Sequence, residues 1–169
     1  MTINHHKRFN TTRRMRLTGY NYGSPGFYFL TWCQRDRLPL FVDESNQGWN
    51  LTPAGEMIDS AIKEMASRFH DITIDEYAVM PNHIHLLVGL STTLDAREAD
   101  SVIEAIHWLK TVTTNRYIKG VKAMNWPRFN KTLWQEGYHD RNVRDERELE
   151  AVRGYINENP TRWREDEFY

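Results

Sequence analysis

The sequence predicts an α+β fold: an antiparallel sheet with helices gathered on one side, plus a C-terminal helix. Three observations predict it. Short β-forming runs and amphipathic helical stretches follow one another in the order strand–helix–strand–strand–helix–strand. The two middle strands are parted by a short turn, which makes them an antiparallel hairpin rather than a parallel crossover unit. Past the last strand, Leu149, Val152 and Ile156 keep helical spacing as far as Pro160.

The elements are justified in chain order. Gly23-Ser24-Pro25-Gly26 reads as a turn, and Phe27 to Cys33 (FYFLTWC) is rich in aromatic and β-forming residues, so it is the first strand. Thr52 can cap a helix with Pro53 at its first position, and Ile58, Ala61, Ile62, Met65 and Phe69 then form a buried stripe. Ile72 to Val79 is the second strand and pairs with the strand holding His83. Ser91 to Asp100 reads as a polar loop, after which Val102, Ile106, Leu109 and Val112 mark a second helix. Gly120 to Lys131 contains Gly, Pro and Asn and is expected to be a flexible connection, and Leu133 to Val143 a further extended segment. Asp145 caps the last helix, with Glu148 completing a capping box, and Pro160 is expected to stop it at Asn159. This element order is the ferredoxin-like arrangement.

Composition narrows the function classes. With 169 residues, 40% hydrophobic and 12% aromatic, the chain is one folded domain rather than a disordered tail. The formal net charge is −1, so any nucleic-acid contact must come from local charge. Lys7, Arg8, Arg13, Arg14 and Arg16 supply such a patch without an intervening acid, and Tyr20 and Tyr22 follow. An arm of this kind either lies solvated or clamps a phosphate backbone and stacks bases. Cys33 is the single cysteine, which excludes an internal disulfide and fits a reducing cytoplasm. No apolar run is long enough to span a bilayer, so a soluble, cytoplasmic protein without a membrane partner is expected.

The stretch with most chemistry is Met80 to Val88, MPNHIHLLV. Residues two apart in a strand share a face, so His83 and His85 project together, away from Ile84, Leu86 and Val88. Paired imidazoles either hold a divalent metal or stand on a solvated sheet face. On the last helix Tyr155 and Asn159 are four residues apart and stand one above the other at the edge of the apolar stripe. Tyr155 there is either a packing residue with a wet hydroxyl or a nucleophile, and Gly154 beside it leaves room for a bulky substrate. Two imidazoles and the Asn159 amide oxygen leave open positions on an ion, and the oxygen ligand favours Mg²⁺ or Mn²⁺ over a closed zinc site. Such an ion would polarise a phosphate while the Tyr155 oxygen attacks it.

His83-Ile84-His85 matches the histidine–hydrophobic–histidine motif of single-tyrosine nucleases. The chain resembles the transposases of that family, those of insertion sequences and the REP-associated tyrosine transposases. The matching stretches run nearly its full length: RMRLTGYNYGSPGFYFLT from Arg14, VMPNHIHLLV from Val79, WLKTVTTNRYI from Trp108, LWQEGYHDRNVRDE from Leu133 and YINENPTRW from Tyr155. The resemblance implies one transposase-like nuclease domain over 1–169, with a basic arm at 1–22 and a tyrosine helix at 145–159. It implies Tyr155 as the nucleophile, Asn159 as a third ligand beside His83 and His85, and Lys110 as a recurrent lysine of the second helix. It implies cleavage of single-stranded, hairpin-associated DNA to a 5′-phosphotyrosine and a free 3′-OH, in a monomer or a homodimer. The other class of function open to such a chain is a domesticated protein that binds hairpin DNA without cutting it. A histidine that many relatives carry shortly before the arginine matching Arg144 is replaced by Arg141, which is therefore given no catalytic part. The chain ends at Tyr169, where some relatives carry a longer tail for substrate recognition, so Arg13, Arg14 and Arg16, together with Lys110 and Arg144, are the expected DNA contacts.

Overall fold

A computed structural model describes residues 24–45, 48–91, 101–166 and 168 of the chain. Strand β1 (Gly26–Cys33) opens it, and a two-stranded ribbon of β2 (Val42–Asp43) and β3 (Asn50–Leu51) leads into helix α1 (Pro53–Arg68). The hairpin β4 (Ile72–Val79) and β5 (His83–Leu90) follows, then helix α2 (Val102–Met124), strand β6 (His139–Val143) and helix α3 (Glu146–Glu158). A 3₁₀ segment, Asn159–Glu165, continues from α3. No helix among the described residues is long and apolar enough to cross a membrane.

The main sheet has the order β4-β5-β1-β6 with every neighbour antiparallel, which is the ferredoxin-like order expected. Its two faces are both apolar but are covered differently. Tyr28, Leu30, Trp32, Ile84, Leu86 and Val88 pack beneath α1 and α2. The alternate residues Phe27, Phe29 and Leu87 lie with Leu149, Val152 and Ile156 of α3. So α1 and α2 share one side as expected, and the tyrosine helix closes the other. Strand alternation requires this, because β1 and β5 place large apolar residues on both faces and each face must be covered.

Local signals formed where they were legible. Thr52 Oγ1 accepts from Gly55 N–H at 3.1 Å with Pro53 in the first turn, and the α1 stripe is buried as read. Asp145 Oδ1 accepts from Glu148 N–H at 2.8 Å. The capping box stops at that half, since the Glu148 carboxylate takes the Arg144 N–H at 3.0 Å and pairs with Arg141 and Arg144.

Three boundaries differ from expectation. Helix α2 runs through Gly120 to Met124 and ends on Asn125 in the left-handed conformation (φ 56°), so the expected flexible connection begins with helix. Gly120 is there for space rather than flexibility: a Cβ on it would lie 2.2 Å from the Trp126 ring, which folds back over the helix. The extended segment at Leu133 to Val143 is a strand only from His139, with an isolated bridge from Trp134 to Gln34. Asn159 keeps right-handed helical geometry (φ −55°, ψ −43°) despite Pro160. Pro160 biases its predecessor but suits the first turn of the 3₁₀ segment, where its missing N–H is not needed.

Replacing Gly120 with Ala is expected to destabilise the fold. Overpacking costs about 1–3 kcal/mol and helix propensity returns about 1, so a net loss of up to about 2 kcal/mol should lower the urea midpoint. An unchanged midpoint would show that Trp126 yields at no cost.

Candidate active site

His83 and His85 leave β5 on the face covered by α3, and neither side chain has any exposed surface. The solvated reading of the pair is thereby removed. Their Nε2 atoms are 2.9 Å apart. Each ring is fixed through its other nitrogen. Thr31 lies directly opposite His85 in the β1–β5 register, and its Oγ1 is 2.7 Å from His85 Nδ1. Asn82 Nδ2 donates to the carbonyls of Arg37 and Phe168, at 3.2 and 3.1 Å, which turns Oδ1 toward His83 Nδ1 at 2.8 Å. An amide oxygen can only accept, so His83 Nδ1 carries the proton and Nε2 offers a lone pair. Asn82 is therefore more than the turn residue its sequence suggested: it sets the tautomer of the imidazole beside it.

Tyr155 reaches the pair from α3. Its ring meets His85 edge-on at 5.2 Å and Phe29 at 5.9 Å, and its hydroxyl donates to Asp166 Oδ2 at 3.2 Å. A Cβ on the neighbouring Gly154 would meet nothing within 4 Å, which leaves the open approach expected there. Asp166 follows the 3₁₀ segment; its carboxylate lies 3.4 Å from His85 Nε2 and 3.8 Å from His83 Nε2. The ring of Phe168 then covers the histidines, with centroids 5.1 Å from His83 and 5.9 Å from His85.

His83, His85 and Asp166 can each point one ligand atom at a common ion, with those atoms within 4.8 Å of one another. Burial drives the His83 imidazole well below its usual range, and the neighbouring His85 adds to that effect. Burial alone would raise the Asp166 carboxyl. The hydrogen bond to His85, the electrostatic influence of the two imidazoles, and the Phe168 N–H outweigh burial and bring it down to about 2.

Comparison with known proteins shows the family of the chain. A family model described as "Transposase IS200 like" matches residues 27–159, most of the chain and nearly all of its described core. The chain belongs to the IS200-like transposase family. An uncharacterized protein of Haemophilus influenzae is 28% identical over 187 residues, spanning 100% of this chain and 99% of its own length. Among solved structures, a REP-associated tyrosine transposase bound to a REP hairpin superposes with a TM-score of 0.59 at 19% identity, over 90% of this chain and 74% of that one. A protein of Deinococcus radiodurans provisionally assigned as a transposase gives 0.51 at 20% identity, over 86% and 96%. At those identities the superpositions show the shared fold.

The remaining residues singled out from the sequence are distributed as follows. Asn159 is buried at the end of α3, one turn past Tyr155, and its amide nitrogen finds no hydrogen-bond partner among the described residues. The Lys110 ammonium donates to the carbonyls of Gln135 and Gly137, both at 2.8 Å, and burial lowers its pKa to about 8. It thus ties down the segment before β6. The Arg144 guanidinium is largely exposed and holds Glu148 through Nε at 3.1 Å. Arg13, Arg14 and Arg16 lie outside the described residues. Arg141 pairs with Glu148, while His139 stands on β6 opposite Thr31 with its ring 5.6 Å from Phe168.

Sequence reading missed Thr31, Asp166, Phe168 and His139. Thr31 was findable, since a hydroxyl opposite a histidine follows once β1 and β5 are paired. Asp166 and Phe168 carry no local signal.

Burial of His83 as the neutral ring has a consequence for stability. The unfolded chain takes a proton near pH 6.5 and the folded one only far below, so stability is lost as pH falls through 6.5. Asp166 acts in a separate window, holding its contribution above about pH 4 and losing it toward pH 2. In EDTA, unfolding free energy should decline between pH 7 and 5 with a slope approaching about 1.4 kcal/mol per pH unit. His83→Gln should flatten that slope, and a flat wild-type curve would show that His83 is not held neutral.

Proposed function

We propose that the protein is a single-tyrosine DNA endonuclease and strand transferase acting on single-stranded, hairpin-associated DNA. The observation that carries this reading is the meeting of Tyr155 with the paired imidazoles of His83 and His85 at one buried point, within an IS200-like transposase fold. A REP-associated relative of the same fold is bound to a REP hairpin, which supports hairpin DNA as the partner.

His83, His85 and Asn159 would hold Mg²⁺ or Mn²⁺. The residues fit such an ion: two Nε2 atoms converge at 2.9 Å, and the buried Asn159 amide has an atom without a partner among the described residues, a position in which an amide flip would offer an oxygen. When bound, the ion would act as a Lewis acid on the scissile phosphate. The steps of the chain itself follow from Tyr155. Its oxygen attacks phosphorus, the bond from phosphorus to the 3′ oxygen breaks, and the leaving strand takes up a proton as a free 3′-OH. The 5′ end stays on the enzyme as a phosphotyrosine ester. That ester keeps the bond energy, so attack by another 3′-OH reverses or redirects the cut without ATP. The tyrosine's ordinary pKa near 10 means its proton must leave during the attack. Edge contact with His85 and the bond to Asp166 orient the hydroxyl before substrate arrives. Because Tyr155 and the histidines meet within one chain, the geometry supports a site completed without a partner subunit, although a homodimer remains compatible. Arg144, Lys110 and the basic arm with Arg13, Arg14 and Arg16 are proposed to bind the DNA backbone, and neutralising any one of these side chains should weaken both the affinity and its dependence on salt.

A second reading is favoured by one observation: the imidazoles are fully covered, with Asp166 and Phe168 against them. A closed site of this kind suits a domesticated protein that grips hairpin DNA without turnover.

End-labelled hairpin DNA incubated with Mg²⁺ or Mn²⁺ and run on a denaturing gel separates the readings. Wild type should give a covalent protein–DNA adduct that disappears in Tyr155→Phe, and His83→Ala should cut its rate by about 10²-fold or more, the scale set for missing metal or base assistance. Cleavage without an adduct would assign hydrolysis by water, and tight binding without cleavage across hairpins and metals would favour the binding protein.

A further inference from the structure

Resting on the metal reading just given, we infer that Asp166 is a ligand of the ion, an anionic donor delivered by the C-terminal segment to the histidine pair. Asp166 thereby joins His83, His85 and Asn159 in the donor set, with the Tyr155 hydroxyl bonded to the same carboxylate.

Two independent observations carry it. The first is the pair of converging nitrogens. Asn82 fixes His83 Nδ1 as the protonated atom, so the Nε2 lone pair faces His85 Nε2 at 2.9 Å. Two lone pairs at that distance repel, so a proton or a cation must lie between them. Thr31 can serve both states, because a hydroxyl donates to His85 Nδ1 in one and accepts from it in the other. A cation held by both Nε2 atoms is therefore compatible with the Thr31 bond after a tautomer exchange on His85.

The second is the position of Asp166. Its side chain has no exposed surface, and its ion-pair contacts among the described residues are with the two histidines alone. Its other partners are neutral donors, the Phe168 N–H at 2.7 Å and the Tyr155 hydroxyl at 3.2 Å. A divalent ion between this enclosed carboxylate and the imidazoles would give all three donors a common partner. The spacing agrees. Ligand bonds of about 2.1 Å place adjacent octahedral donors about 3.0 Å apart. The observed separations are 2.9, 3.4 and 3.8 Å, so a small inward shift of the carboxylate completes the set. Carboxylate oxygen also hardens the site toward Mg²⁺ or Mn²⁺.

The consequence is a direct link between nucleophile and ion: the group that holds the Tyr155 hydroxyl is itself a ligand. A chain whose C-terminal segment is displaced would keep both histidines and still bind the ion weakly.

The test uses the full chain without DNA. Free Mn²⁺ is titrated by electron paramagnetic resonance, and water-proton relaxation counts the waters on bound Mn²⁺, for wild type, Asp166→Asn, Asp166→Glu and His83→Ala. Asp166→Asn keeps the shape and an oxygen for the Phe168 N–H. It should weaken Mn²⁺ binding at least tenfold and add a water to the bound ion, while Asp166→Glu recovers part of the affinity. Equal affinity and equal water count in Asp166→Asn and wild type, with binding abolished in His83→Ala, would overturn the role of Asp166 and leave the histidine site standing. Absence of Mn²⁺ binding by the wild type at millimolar concentration would overturn the metal reading together with this one.

Discussion

The 2.9 Å approach of His83 Nε2 to His85 Nε2 is the contact on which the rest of the site depends. Strand alternation brings the two rings to one face, but alternation alone would leave them free to rotate. Their orientation comes from a hydroxyl across the sheet, at Thr31, and from an amide in the hairpin turn, at Asn82. Asn82 is itself held by the carbonyls of Arg37 and Phe168. Arg37 adopts a left-handed backbone (φ 60°), an unfavourable conformation for a residue with a side chain, and its carbonyl is one of those two acceptors. Its guanidinium donates to the Phe168 carbonyl at 3.1 Å and lies 5.2 Å over that ring. One chain of contacts thus runs from the loop after β1 to the C-terminal segment and ends on a ring nitrogen.

Burying this much polar chemistry requires apolar support on both sides of the sheet. The face under α1 and α2 holds the larger core, with Trp32, Tyr28, Ile58, Ile62, Met65 and Tyr117 almost wholly enclosed. The face under α3 is smaller, and half its work is to keep water from the histidines. Leu149, Val152 and Ile156 anchor α3 on that face, and Tyr155, next to this stripe, is left half-buried where its hydroxyl reaches the site. A tyrosine set into a packed helix has few rotamers left, so the entropy of placing it is already lost before substrate binds.

Fold and site were unequally legible in the sequence. Every strand of the main sheet and each helix was recognisable, because period two and period 3.6 repeat within a few residues, and Thr52 and Asp145 announced two helix starts through their caps. The errors came where a local rule met a tertiary contact. Gly120 looked like a connection and is a helical residue cleared for Trp126. Pro160 looked like a stop and opens a 3₁₀ segment. Glu148 looked like the return arm of a capping box and instead gathers two arginines.

By itself, then, the sequence determined an α+β chain with two imidazoles on one strand face and a tyrosine on a late helix, since these follow from spacings of two and four residues. Only the tertiary structure decided that α3 covers the imidazole face and that Asp166 and Phe168 return to it. The distance from His85 to Asp166 spans most of the second half of the chain, and such a contact depends on sheet order, helix placement and the path of the 3₁₀ segment together, so no short-range pattern encodes it.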